Sequence, residues 1–316
     1  GFIPVLYLVA LSVPVPVDNA AFYLVWPDAL GWLAALALGY FLIFKLEALS
    51  WNRLYYLASY TALVFLGVAI MSHDLTQRFY YFVPEAGSAF YALLAVLPLV
   101  SIWWVRQGKG EMLLRWGLPL QQSITMVMVL YLAVWSVINN LQNSGDAYPL
   151  PFIPILNPLD LAHIVFIIGM IRSLVLLQGV EQKQKDFARS SIGVLAFAWI
   201  SALLLRSMHH YDGVAFAIEP MLKDPGVQTG LSILWTLIGM ATILYASRKS
   251  MRTLWLVGAV LVAVVLIKLI FADLRASGTL ERIISFLTVG GLLTAMGYFS
   301  PIPPRAESEQ VADDKA

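Results

Sequence analysis

Apolar residues fall into ten stretches along the chain, at about 1–13, 28–45, 54–72, 87–105, 117–138, 159–178, 190–207, 229–246, 254–273 and 281–299. An apolar run of about 20 residues crosses the hydrocarbon core of a bilayer as a helix. Backbone N–H and C=O groups find no water in that layer, so a spanning run must satisfy them internally. The runs are continuous instead of alternating, which specifies helices over strands. The pattern predicts an all-α integral membrane protein, a bundle of about ten transmembrane helices.

The basic residues between the stretches set the orientation. Lys45 and Arg53, then Arg106, Lys109 and Arg115, then Lys183, Lys185 and Arg189 occupy every second gap. Arg248, Lys249 and Arg252 continue the series, and Arg305 and Lys315 close it. The intervening gaps hold Arg78, Lys223, Arg275 and Arg282, and three basic residues lie inside spans. Cationic loops are retained in the cytoplasm, so both ends of the chain are expected there, in a bacterial inner membrane.

Composition agrees with this class. Hydrophobic residues make up 60% of the chain and charged ones 12%, about half of what a soluble domain carries. Mean hydropathy is +0.78. The net charge of +1 sits in short loops and gives no reason to expect nucleic acid. The absence of cysteine excludes disulfides, thiolate metal sites and a cysteine nucleophile. The chain begins with Gly1 and is apolar from Phe2, a start inside a span that leads us to expect a piece of a longer protein. Residues 1–300 form the expected membrane domain. The tail 301–316, with Pro303, Pro304, Glu307, Glu309, Asp313 and Asp314, is expected to be disordered, acidic and cytoplasmic.

The gaps on the outer side read as longer connections, Val13 to Trp26, His73 to Glu85, Asn139 to Asn157 and Met208 to Val227. The third carries Tyr148, Pro149, Pro151, Phe152 and Pro154, and is either a stiff surface connector or a segment folded back over the bundle. Gly31, Ala35 and Gly39, and again Gly291 and Ala295, recur at four-residue spacing and allow close helix approach, within one bundle or between protomers. Trp26, Tyr80, Tyr81, Trp103, Trp104, Trp116, Trp135, Tyr211 and Trp255 fall near span ends and are expected to form an interfacial belt.

Polar groups within spans are costly and mark candidate chemistry. They gather toward the outer side of the last five stretches. The sixth begins Asn157-Pro158-Leu159-Asp160-Leu161-Ala162-His163. Asn157 reads as the N-cap, Pro158 as the first helical residue and Asp160 as a carboxylate at the dipole-positive end. Asp160 is thus either a cap or the orienting partner of His163, one turn on. Arg206 and His210 share a face if their helix continues. Arg206 either snorkels outward or forms an anion-binding edge. Adjacent His209 and His210 diverge by about 100° and make a poor chelating pair, so no metal or other cofactor is expected. Lys268 lies inside the ninth stretch, with Asp273 or Asp160 as candidate counter-ions, and Arg275 and Arg282 follow. Arg172 points about 180° away from His163. Gln121, Gln122 and Ser123, and Gln228, Thr229 and Ser232, suit interhelical hydrogen bonds. No phosphate loop, nucleophile elbow or zinc-protease signature is present. Asp18 and Asp28 are weak candidates for the outer-loop acids of a membrane glycosyltransferase.

The segments His209-His210-Tyr211, Gln228 to Trp235, Leu266 to Leu274 and Arg282 to Phe286 resemble the C-terminal part of a bacterial family, the multi-pass domain of unknown function 2339. Over about the last hundred residues the resemblance is specific, and before that it rests on hydropathy. It implies a multi-pass membrane fold, a longer parent chain and no particular reaction. It directs attention to Lys268, Asp273, Arg282, Gln228 and Trp235, which stand in the matching segments.

Three readings follow. One is a transport or translocation component for an anionic or glycan-linked envelope substrate, resting on Arg206, His210, Lys268, Arg275 and Arg282. Another is a membrane-embedded glycosyl or acyl transferase with His163 or His210 as base and Asp160 as orienter. The third is a scaffold without a site. The lipid bilayer is the common partner, with envelope glycan or anionic lipid as candidate ligands and helix-mediated self-association as a further option.

Overall fold

The computed structural model describes residues 25–47, 53–109, 111–174 and 180–268, with single positions at 283, 287, 290, 291 and 294. Every regular element among them is helical. In chain order they are α1 (Val25–Glu47), α2 (Arg53–Phe82), a 3-10 turn (Ser88–Ala92) running into α3 (Leu93–Arg106), α4 (Glu111–Trp116) and α5 (Leu118–Gln142). Then follow α6 (Pro158–Ser173), α7 (Gln182–Asp212), α8 (Ile218–Lys223), α9 (Pro225–Arg248) and α10 (Arg252–Lys268). Two compact units divide the chain, Gly1–Trp199 and Ile200–Ala316, the boundary falling within α7.

Five described helical segments are long and apolar enough to cross a membrane: α2, Ser88–Arg106, α5, α7 and α9. The helices α1, α6 and α10 coincide with three more of the expected stretches, and the five single positions are helical within the tenth. The stretch 1–13 and the tail 301–316 lie outside the described residues. The all-α membrane class stands.

Two connections, His73 to Glu85 and Met208 to Val227, are shorter than expected because helices extend into them. α2 continues to Phe82 instead of ending near residue 72. The Ser72 hydroxyl donates to the Val68 carbonyl at 2.8 Å, Thr76 to Ser72 at 2.9 Å, and Arg78 pairs with Asp74 one turn back. These i to i+4 bonds satisfy polar side chains on the helix itself. α7 likewise starts early, at Gln182, whose amide bonds Asp186 at 2.8 Å, and it runs to Asp212. At about 1.5 Å per residue these helices are about 45 Å long, so their polar ends extend past a hydrocarbon layer of about 30 Å.

In the first unit, α5 is the central element. Leu120, Ile124, Met128 and Leu132 repeat every fourth residue and are all buried, against Tyr60, Ala95, Leu159 and Phe166 from neighbouring helices. On the other side of α5, Met126, Leu130, Val134, Val137 and Leu141 are exposed. That two-faced apolarity suits a helix with protein on one side and lipid on the other. The Thr61 hydroxyl donates to Ser123 at 2.8 Å, the interhelical bond expected near Gln121 to Ser123. A Cβ on Gly39 would stand 2.9 Å from the Leu63 side chain, so the small-residue stripe of α1 does face α2 there, whereas Gly31 meets nothing within 4 Å.

The aromatic belt is smaller than the sequence suggested. Trp103, Trp104, Tyr81 and Tyr211 are exposed, as anchors should be. Trp135 is buried, and Trp116 packs against the core between Tyr56 and Tyr60 with the Arg53 guanidinium 5.6 Å from its ring. Proximity to a span end does not separate a lipid-facing indole from one turned inward.

In the second unit, α9 and α10 cross at Gly239 and Gly258. A Cβ on Gly258 would lie 2.9 Å from the Gly239 carbonyl oxygen and 3.1 Å from the Ile243 backbone nitrogen. Because those atoms are backbone, no side-chain rotation relieves the clash. Gly258→Leu is therefore expected to force the hairpin apart and to cost about 1–3 kcal/mol, read as a lower thermal midpoint in detergent, whereas the same change at Gly193, with open space around it, leaves the midpoint nearly unchanged.

Candidate functional site

Asn157 caps α6 as its sequence suggests: its side-chain oxygen accepts from the Asp160 N–H at 2.9 Å, with Pro158 in the first turn. The Asp160 carboxylate is fully buried and accepts from three donors. These are the Asn157 amide, the Ile155 N–H at 3.3 Å and the Trp199 indole N–H at 3.0 Å. Ile155 has φ 71, rare for a β-branched residue, and its N–H bond to Asp160 helps hold that conformation. Asp160 thus joins the loop before α6, the first turn of α6 and α7, a set of bonds that offsets the cost of burying its charge.

His163 is buried one turn further on, but its Nδ1–H donates to the Leu159 carbonyl at 2.8 Å. A carbonyl only accepts, so Nδ1 carries the proton, and the backbone fixes that tautomer. The Leu159 carbonyl, not the Asp160 carboxylate, orients Nδ1. The imidazole lies against the Trp135 ring, centroids 4.7 Å apart at 32°. Arg172 is exposed in the last turn of α6, as its opposite direction implied.

The second unit engages the remaining described candidates separately. α7 continues through His210, placing Arg206 and His210 on one face, but Arg206 is fully buried and does not snorkel. The His209 ring donates to the Val214 carbonyl at 2.7 Å and meets His210 edge-on at 4.9 Å. The Lys268 ammonium donates to the Gln228 carbonyl at 3.0 Å and to the Ser232 hydroxyl at 2.8 Å, tying α10 to α9. The Gln228 amide donates to the Met221 carbonyl, and the Trp235 indole to Ser201 at 3.0 Å. Asp273, Arg275 and Arg282 lie outside the described residues. Among the described residues no three His, Asp or Glu side chains are placed to hold a metal.

A groove of about 490 Å³ lies in the first unit, between the 3-10 turn with the start of α3 and the second half of α5. Tyr91, Leu94, Tyr131, Val134, Trp135 and Ile138 form its aromatic and apolar wall, and Ser88, Asn139, Gln142 and Asn143 its polar end. None of these side chains is charged. Asn143 terminates α5 with extended backbone. Its Oδ1 accepts from the Ser88 hydroxyl at 2.7 Å and the Gly145 N–H at 2.9 Å, while its Nδ2 donates to the Ser88 carbonyl at 2.8 Å and to Asn139 Oδ1 at 2.9 Å. The Asn139 amide donates to the Trp135 carbonyl, and the Trp135 indole to the Tyr91 carbonyl at 3.1 Å. The polar end is thereby built before any ligand arrives.

The Pro-rich connection folds back over this end. The Gly87 N–H donates to the Tyr148 carbonyl at 2.9 Å and the Ala89 N–H to the Asp146 carbonyl at 2.7 Å. A Cβ on Gly87 would collide with the Asp146 backbone, so only glycine permits the approach. Sequence reasoning passed over Ser88, Asn139, Gln142 and Asn143. The amide run at the end of an apolar helix was a usable signal, but its partner Ser88 stands 55 positions away.

Asp160→Ala removes acceptors from three donors and is expected to cost about 2–4 kcal/mol. Asp160→Asn should cost less, because an amide keeps one acceptor for Trp199. Thermal unfolding in detergent, followed by tryptophan fluorescence, checks the order; equal stability of all three proteins would contradict the tie.

No curated protein and no solved structure matches the chain. A family model described as "Predicted membrane protein (DUF2339)" matches residues 2–303, well beyond the last hundred residues that carried the specific resemblance. The helices, their lipid-facing apolar sides and this match agree, and the chain belongs to the DUF2339 family of membrane proteins.

Proposed function

We propose that this chain is a transport or translocation component of the bacterial inner membrane, and that it admits a lipid-linked envelope substrate through the groove between α3 and α5. The observation that carries the reading is the groove itself, aromatic and apolar along the helices and polar at their end. α3 leads from the groove toward Arg106, and α5 returns from Arg115, so the groove opens away from that basic turn. Under the positive-inside rule this end is extracytoplasmic and the basic turns, with both ends of the chain, are cytoplasmic.

The uncharged lining favours the glycan-linked over the anionic form of the substrate. Of the basic residues expected to form an anion site, Lys268 donates to two neutral acceptors and Arg206 is fully buried. In the transferase reading Asp160 orients His163; the Leu159 carbonyl holds Nδ1 of that ring. A scaffold without a site remains the competing reading, and it expects the groove to be dispensable.

Val134 and Ile138 line the groove and are 52% and 48% exposed, so larger side chains fit there without disturbing the core. Val134→Trp with Ile138→Trp is expected to fold normally, to lose co-purifying lipid in mass spectra and to fail to restore envelope integrity to a deletion strain. Full restoration with the groove plugged would favour the scaffold.

A further inference from the structure

We infer that the groove takes an uncharged glycolipid, its sugar at the Ser88, Asn139, Gln142 end and its lipid chain along Tyr131 and Val134. The inference rests on the groove reading above and specifies the chemistry of the occupant. Polarity changes in one direction along α5. Tyr131 lies halfway along the helix and Gln142 at its last residue, about 16 Å apart at 1.5 Å per residue. Between them the lining passes from Val134 and Ile138 to Asn139 and Gln142. A lipid held parallel to the span presents the same order, chain toward the bilayer centre and headgroup at the interface.

Charge selects among headgroups. No lysine, arginine or histidine lines the groove, so a phosphate placed there would lose hydration without gaining a cation. Arg78, on the neighbouring helix α2, is already paired with Asp74. Hydroxyl groups meet a far smaller penalty, because an uncharged amide can both donate to them and accept from them. Gln142 lines the groove, is exposed, and has no hydrogen-bond partner among the described residues. The Tyr91 hydroxyl is likewise unbonded among them, and its ring, 44% exposed and braced by Tyr80 at 5.3 Å, offers a flat face to a sugar ring. Behind these groups the Asn143 network holds the wall in place. A few oriented polar groups in a largely apolar cleft is the usual plan of a specific small-ligand site, and the volume lies in the common range of about 300–1,000 Å³.

Native mass spectrometry of the full chain, offered monoglucosyl diacylglycerol, phosphatidylethanolamine and phosphatidylglycerol at equal concentration, tests the assignment. The glycolipid should bind about tenfold more tightly than either phospholipid. Gln142→Leu, at an exposed position, should weaken it about five- to tenfold while leaving phospholipid binding unchanged. Tyr91→Phe should weaken it less. If phosphatidylglycerol binds best and Val134→Trp abolishes that binding, the sugar assignment is overturned and the groove reading survives. If Val134→Trp changes the binding of no lipid, or no lipid binds, the groove reading falls and takes the sugar with it.

Discussion

Four hydrogen bonds on the Asn143 amide hold together the end of the first unit where α5 finishes. Two of them connect the end of α5 to Ser88, at the start of the segment that becomes α3, across 55 residues of chain, and the other two reach Asn139 and Gly145. In hydrocarbon or at its edge, a helix end with unmet carbonyls and amides is expensive. One side chain that donates twice and accepts twice meets several of those needs at once. The return of the Pro-rich segment onto Gly87 and Ala89, the position of the Trp135 indole against the Tyr91 carbonyl, and the polar floor of the groove all follow from that junction.

The same constraint explains why polarity inside a span is an ambiguous sign of function. Asp160 is a carboxylate fully buried in the first unit, and it works as a three-way tie between a loop, a helix start and α7. Lys268 performs a comparable service in the second unit, where its ammonium bridges two acceptors on α9. In both places charge is used to join elements for which apolar contact alone provides little direction. Membrane helices gain little by burying apolar surface against one another, since lipid is as apolar as leucine. Hydrogen bonds and close glycine contacts, as at Gly239 and Gly258, therefore supply much of the specificity.

Several features were legible in advance because they depend only on neighbours in sequence. The spans were legible in their apolar runs, and the cap at Asn157 in the Asn-Pro-x-Asp order, because both are settled within one helix turn or one bilayer thickness. α2 and α7 run past their apolar stretches, because polar residues bonding within one helical turn keep a helix going where hydropathy falls. Trp135 and Trp116 turn inward, where their positions near span ends suggest anchors, for a different reason. Which way an indole turns is decided by the helices packed around it, and hydropathy carries no record of them. At His163 the Nδ1–H is taken by the Leu159 carbonyl one turn back, a backbone bond that hydropathy does not reveal.

Length and apolarity were sufficient, from sequence alone, to determine that this chain is a helical membrane protein, because a bilayer imposes a single scale on every span. The basic residues in alternate gaps likewise give an expected orientation without any tertiary information. The groove was decided only in three dimensions. Ser88, Tyr91, Trp135 and Asn143 are ordinary residues at ordinary positions until α3 and α5 lie side by side. The physical reason is the range of the forces: solvent reads each span separately, whereas a site is made by hydrogen bonds of about 3 Å between residues far apart in the chain.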